Sequence, residues 1–169
     1  MTDTPSYLAG PHAGVTYLTA AQVPTIVRVA RDVPMDGMAA IFDETFSALG
    51  PALGEHAIAP AGPAFSLHHR MPGATATFEV GFPLGAPLDG EIEAGGITFA
   101  PSSMPAGPIA TISHIGAFDG LSQAWQDLMQ RVADDGHQPA LPFWEVYVSE
   151  PGPNVDPSSL RTDLVTMVG

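Results

Sequence analysis

The chain has no cysteine and no lysine among its 169 residues. Without thiols, disulfides, thiolate metal centres and a cysteine nucleophile are excluded. Without lysine, the only cationic side chains are Arg28, Arg31, Arg70, Arg131 and Arg161, set against eighteen acids, for a formal net charge of −13. Nucleic-acid affinity depends on clustered basic side chains that displace counterions from phosphates. Five scattered arginines form no such patch, so a nucleic-acid partner is not expected. No apolar run reaches the ~20 residues that span a bilayer, so no membrane partner is expected. The N-terminal stretch with Asp3, Pro5 and Pro11 lacks the basic start and apolar core of a secretion signal, which points to a cytoplasmic address. Nucleophile-elbow, phosphate-loop and dinucleotide motifs are missing too. His12, His56, His114 and His137 have no partner four residues away on a helix, and adjacent His68 and His69 point to opposite faces of a strand. Neither a metal nor another cofactor is expected.

What is present is a folding chain: 45% of residues are hydrophobic and 14% charged, too apolar for an acidic disordered tail. Its length is that of one domain with a real core, and acidity alone reads as solubility with a mild bias toward cationic ligands. The β-branched segment Thr25–Val33 predicts a strand ended by Pro34. Asp36 is placed to cap a helix whose apolar positions are Met38, Ile41, Phe42, Phe46, Leu49 and Leu53. Gly50-Pro51 should break or kink its last turn. Strands are expected over Ala64–His69 and Thr75–Phe82, joined by a hairpin at Met71-Pro72-Gly73.

The second half repeats the plan. A strand at Ile109–Ile115 precedes a helix with Leu121, Ala124, Trp125, Leu128 and Val132 on its apolar side, closed by Asp134-Asp135-Gly136. Strands follow at Phe143–Val148 and near Leu164–Val168, separated by a proline-rich loop at 151–157. A constant shift of 79 residues carries Phe42 onto Leu121, Phe46 onto Trp125, Leu49 onto Leu128, Leu53 onto Val132 and Pro63 onto Pro142. The fold class is therefore α+β: two pseudo-symmetric βαββ repeats forming a sheet, with helices on one face and a ligand groove. The expected organisation is one domain, with repeat one at about 22–84, a connector at about 85–106 and repeat two at about 107–169. Residues 1–20 read as a loosely ordered leader, and Ile97–Phe99 as a short extra strand in the connector.

Strand alternation puts Phe143, Glu145 and Tyr147 on one face and Trp144, Val146 and Val148 on the other. The uniformly apolar second set is expected to meet the helices. Under the repeat shift Ser66 and His68 join the first set, which lines a groove suited to a flat or cationic organic molecule. Each of these positions has a plainer reading. Glu145 could be a solvated strand carboxylate, Tyr147 a packing residue, and His68 with His69 a surface pair. Trp125 reads as core or as pocket wall, and Glu79 as solvated or as a second groove carboxylate.

Several segments together resemble the GyrI-like effector-binding family. They are Ala61-Gly62-Pro63-Ala64-Phe65 and Phe78-Glu79-Val80-Gly81-Phe82-Pro83 in the first half. In the second they are Met104-Pro105-Ala106-Gly107, His114-Ile115-Gly116-Ala117-Phe118, Trp144-Glu145-Val146-Tyr147 and Leu160-Arg161-Thr162-Asp163-Leu164. The resemblance implies the two-unit βαββ fold of effector-binding domains from multidrug-responsive regulators. It also implies that Glu145 is a pocket glutamate meeting cationic aromatic ligands. With no helix-turn-helix segment in the sequence, the expected role is a stand-alone sensor or scavenger. Some family members are implied to hydrolyse cyclopropane-containing genotoxins; here Glu145 would assist water addition, with Tyr147 or His68 as proton donor. Others are linked to gyrase inhibition, which implies a protein partner as a third reading. His68 stands where relatives often carry a tyrosine, a departure that favours binding over hydrolysis.

Overall fold

The computed structural model describes residues 11–149 and 154–169. The Ser6–Gly10 part of the expected leader, the residues before it, and positions 151–153 of the proline-rich loop lie outside the described residues. The chain is α+β and divides into two compact units, Gln22–Pro105 and a second made of Met1–Ala21 with Ala106–Gly169.

In the Gln22–Pro105 unit, β2 (Val23–Pro34) leads through a 3₁₀ turn at Met35–Gly37 into α1 (Met38–Glu55). β3 (Phe65–His68) and β4 (Thr75–Pro83) follow, then β5 (Ile92–Ala94) and β6 (Ile97–Met104). The strands run antiparallel in the order β3-β4-β2-β6-β5. β6 is eight residues long and pairs with β2 from Val23↔Met104 to Val27↔Ala100. The stretch read as a connector thus adds a hairpin to the sheet, and its Phe99 is fully buried against Ile26, Leu49 and Leu53. The short strand expected at Ile97–Phe99 lies within β6, and the turn joining β5 to it places Gly95 and Gly96 at positive φ.

The other unit opens with β1 (Thr16–Ala20), within the stretch read as a leader, which pairs in register with β7 (Gly107–Ile115). α2 (Leu121–Asp134) follows a 3₁₀ turn at Phe118–Gly120, and β8 (Pro139–Tyr147) and β9 (Arg161–Val168) complete the order β1-β7-β9-β8. On α2, Leu128 and Val132 are fully buried against Ala110, Leu164 and Val168. Burying such side chains contributes about 1.5–3 kcal/mol each.

The internal repeat is visible at the helix ends. His56, Ala57 and Ile58 donate backbone N–H groups to the carbonyls of Ala52, Gly54 and Leu53, while Asp135, Gly136 and His137 donate to Arg131, Ala133 and Val132. Each of these atoms maps onto its counterpart by the same shift of 79. α1 begins earlier in register, having 18 residues against 14 in α2, so one extra turn lies at its start. At α1 the expected Asp36 cap is not made, and Gly50-Pro51 does not break the helix. Asp36 makes no cap hydrogen bond: it sits in the preceding 3₁₀ turn, and Gly37 holds the cap position. The helix also continues through Pro51 to Glu55, because the tertiary packing of Leu49, Ala52 and Leu53 outweighs the one lost backbone hydrogen bond.

Candidate functional site

β8 carries the acidic-aromatic residues, and its pairing with β9 sets which way they face. Phe143 opposes Thr166, Glu145 opposes Leu164 and Tyr147 opposes Thr162. β9 in turn sets Thr166 beside Ala110, Leu164 beside Ile112 and Thr162 beside His114. Residues directly opposite share a face. Leu164, Ala110 and Ile112 pack on α2, so Glu145 and Phe143 lie on the helix-covered face. This reverses the expected assignment. Trp144 and Val146, expected against the helix, face the other way, and they are buried there as well. Alternation separates two faces, and where both are apolar it does not say which one a helix covers.

The reversal brings α2 to the carboxylate. Trp125 donates its indole N–H to Glu145 Oε2 at 2.6 Å, and the Tyr147 hydroxyl donates to Oε1 at 2.8 Å. The Trp125 ring also stands edge-on to Phe143, with centroids 4.8 Å apart. Phe118, from the turn before α2, meets the Tyr147 ring edge-on at 6.0 Å and is 40% exposed. Glu145 is half-buried with both oxygens engaged by Trp125 and Tyr147, whose rings pack in turn on Phe143 and Phe118. Burial raises its carboxyl above the ordinary 4.5; the Trp125 and Tyr147 hydrogen bonds and the nearby His114 work in the opposite direction.

His114, which lacks a zinc pattern and opens the His114–Phe118 segment of the family resemblance, stands in the row His114–Thr162–Tyr147. Its Nε2 donates to the Ala117 carbonyl at 3.0 Å, since a carbonyl oxygen can only accept. Thr162 between them is fully buried, and its hydroxyl has no hydrogen-bond partner among the described residues. The sequence signal for this row was the segment from His114 to Phe118, whose role emerges only with the β7–β9 register.

Ser66 and His68 lie on β3 of the Gln22–Pro105 unit. They oppose Val80 and Phe78, two residues that pack with Phe42 and Phe46 of α1. Here too the residues expected away from the helix share its face, for the same reason. Both are buried, and the His68 ring stacks on Phe78 at 5.3 Å. Burial, and secondarily the neighbouring His69, lowers His68 to about 4, so at neutral pH it is an uncharged imidazole. The reading of His68 and His69 as a surface pair does not hold. His69 is exposed and shares a hydrogen bond with the buried Glu79, which is accordingly not a solvated carboxylate. Among the described residues no group of three or more His, Asp or Glu is arranged to hold a metal, and no helix is long and apolar enough to cross a membrane.

The model of the GyrI-like small molecule binding domain matches residues 31–168. The chain belongs to that family. No curated protein matches the sequence. Among solved structures, the EcmrR C-terminal domain superposes with a TM-score of 0.70 at 18% identity, covering 92% of this chain and 97% of that one. The structure of SAV2435 bound to tetraphenylphosphonium gives 0.66 at 8% identity, covering 92% and 94%. A hydrolase from Listeria innocua gives 0.63 at 9% identity, covering 96% and 95%. At these identities the likeness is one of fold. Membership in the family makes this GyrI-like domain a small-molecule binder.

Proposed function

We propose that this GyrI-like domain binds hydrophobic organic cations at Glu145 and acts as a sensor or scavenger of such compounds. The observation that carries this reading is the Glu145 carboxylate held by Trp125 and Tyr147 within a frame of aromatic rings. A carboxylate held by neutral donors, with no cation beside it among the described residues, keeps its charge unbalanced, so a poorly hydrated cation restores the balance at little desolvation cost. The rings add cation–π attraction of about 0.5–2 kcal/mol. SAV2435 was solved with tetraphenylphosphonium, which makes that cation the probe of choice. Calorimetric titration with tetraphenylphosphonium should give saturable binding, weakened at least tenfold (about 1.4 kcal/mol) by Glu145→Gln. Equal affinity in both proteins would remove Glu145 as the anchor.

A second reading is favoured by the Tyr147 hydroxyl at 2.8 Å from Glu145 and the raised carboxyl pKa. A carboxyl raised by burial beside a phenol is a competent proton-transfer pair. In a cyclopropane ring opening, water would attack a ring carbon, Glu145 would take the water's proton and Tyr147 would protonate the carbon released. A hydrated product from a cyclopropane-bearing alkylating agent, absent with Glu145→Ala, would establish this activity; no turnover above that control would dismiss it.

A further inference from the structure

The turn between β7 and α2 is wrapped around one imidazole. His114 Nε2 donates to the Ala117 carbonyl at 3.0 Å. A Cβ added at Gly120 would come within 3.0 Å of His114 Cε1, and one added at Gly116 within 3.4 Å of Nε2. Both glycines thus leave room for the ring, and the ring fills the space that they leave. Gly120 N–H closes the turn on the Ala117 carbonyl at 3.1 Å, and Gly116 N–H ties its start to the Leu160 carbonyl at 2.8 Å. Ala117 is therefore shared by two donors, one a backbone amide and one the imidazole. The next residue is Phe118, which reaches the Tyr147 ring while staying 40% exposed. A large exposed aromatic on a short turn has few contacts of its own to hold it, so its placement depends on what holds the turn.

We propose that His114 is a specificity-determining positioning residue of the Glu145 pocket: it pegs the Gly116–Gly120 turn so that Phe118 forms an aromatic wall against Tyr147. The ligand class it selects is the bulky aryl cation, whose rings meet that wall, over compact alkyl cations, which need only the carboxylate. His114 acts through Phe118 and does not itself touch the cation. The proposal rests on the reading of Glu145 as a cation anchor for its ligand consequence, whereas the peg itself is a property of the free protein.

Two measurements separate these layers. In the free protein, proton NMR should show cross-relaxation between the Phe118 and Tyr147 rings in wild type. It should persist in His114→Gln, whose amide can donate to the Ala117 carbonyl, and vanish in His114→Ala and in Gly120→Ala. Persistence of the ring contact in either alanine variant would overturn the peg, whether or not any ligand binds. In the second measurement, tetraphenylphosphonium and tetrabutylammonium are titrated into wild type, His114→Ala, Phe118→Ala and the double variant. Aryl-cation affinity should drop about tenfold in either single variant, with no further drop in the double. Alkyl-cation affinity should change less than twofold. Additive losses, or equal losses for both cations, would overturn the specificity role. If Glu145→Gln leaves both affinities unchanged while the wall variants still discriminate, the carboxylate reading fails and the wall stands. If neither cation binds the wild type, the specificity role falls with the cation reading, and the ring contact alone decides the peg.

Discussion

Acidification from pH 7 to pH 5 should unfold this protein more readily, and His68 supplies a calculable part of the effect. The imidazole is 6% exposed and stacked on Phe78. Its pKa falls from an ordinary 6.5 to about 4, chiefly through burial and secondarily through the neighbouring His69. Because the folded value lies below the unfolded one, the unfolded chain binds the proton first. The stability contribution is therefore complete above 6.5 and is lost as the pH falls toward 4. The full span corresponds to about 3 kcal/mol, of which about 2 kcal/mol is gone at pH 5. With a urea dependence of about 2 kcal/mol per molar, the unfolding midpoint should drop by about 1 M from this residue alone. Urea titrations of wild type and His68→Gln at both pH values isolate it, because every other titrating group is common to the two proteins. The variant will be less stable throughout, having lost the stacking, so the readout is the difference in pH dependence. Equal midpoint shifts in the two proteins would refute the assignment of His68 as a buried, uncharged imidazole.

Three further outcomes follow from the geometry. Glu145 has the opposite linkage: its folded pKa lies above the ordinary 4.5, so wild type should lose stability relative to Glu145→Gln as the pH rises above 4.5. Calorimetric melting of both proteins from pH 4.5 to 8 measures this, and a constant difference would contradict it. Ala57 holds a positive φ of 54° at the end of α1, where its counterpart Gly136 has 84°. Ala57→Gly should therefore stabilise by about 0.5–1 kcal/mol and Gly136→Ala destabilise by about 1 kcal/mol; opposite signs in thermal melts would show that the two ends are not equivalent. Finally, a Cβ at Gly81 would stand 1.8 Å from the Ile26 carbonyl oxygen, so Gly81→Ala should cost at least about 3 kcal/mol, and a near-neutral melt would refute the close approach of β2 and β4.

Much of the fold was legible in the sequence because its signals are local. Apolar spacing located both helices, β-branched runs located β2, β4 and β7, and Asp135-Gly136 marked a helix end that the structure closes with Gly136 in the left-handed region. The repeat was legible because each helix end and the end of the strand that follows it, His68 or Tyr147, keep one offset. β5 and all of β6 beyond Ile97–Phe99 were obscured in a stretch rich in Gly and Pro, and β1 in a short segment whose partner β7 lies about ninety residues away. A strand of that kind declares itself through its pairing rather than its composition.

The site divides along the same line. The sequence by itself determined that Phe143, Glu145 and Tyr147 share a face, because successive side chains of a strand must alternate. It also determined the chemistry available, a carboxylate amid aromatic groups in a chain poor in cations. Only the tertiary structure decided that this face is the one α2 covers, that Trp125 reaches Glu145, and that His114 stands two strands away in the Tyr147 row. Which face a helix crosses is set by the path of the chain and by strand register, and those arise from contacts between residues far apart in sequence. A period of two reports neither.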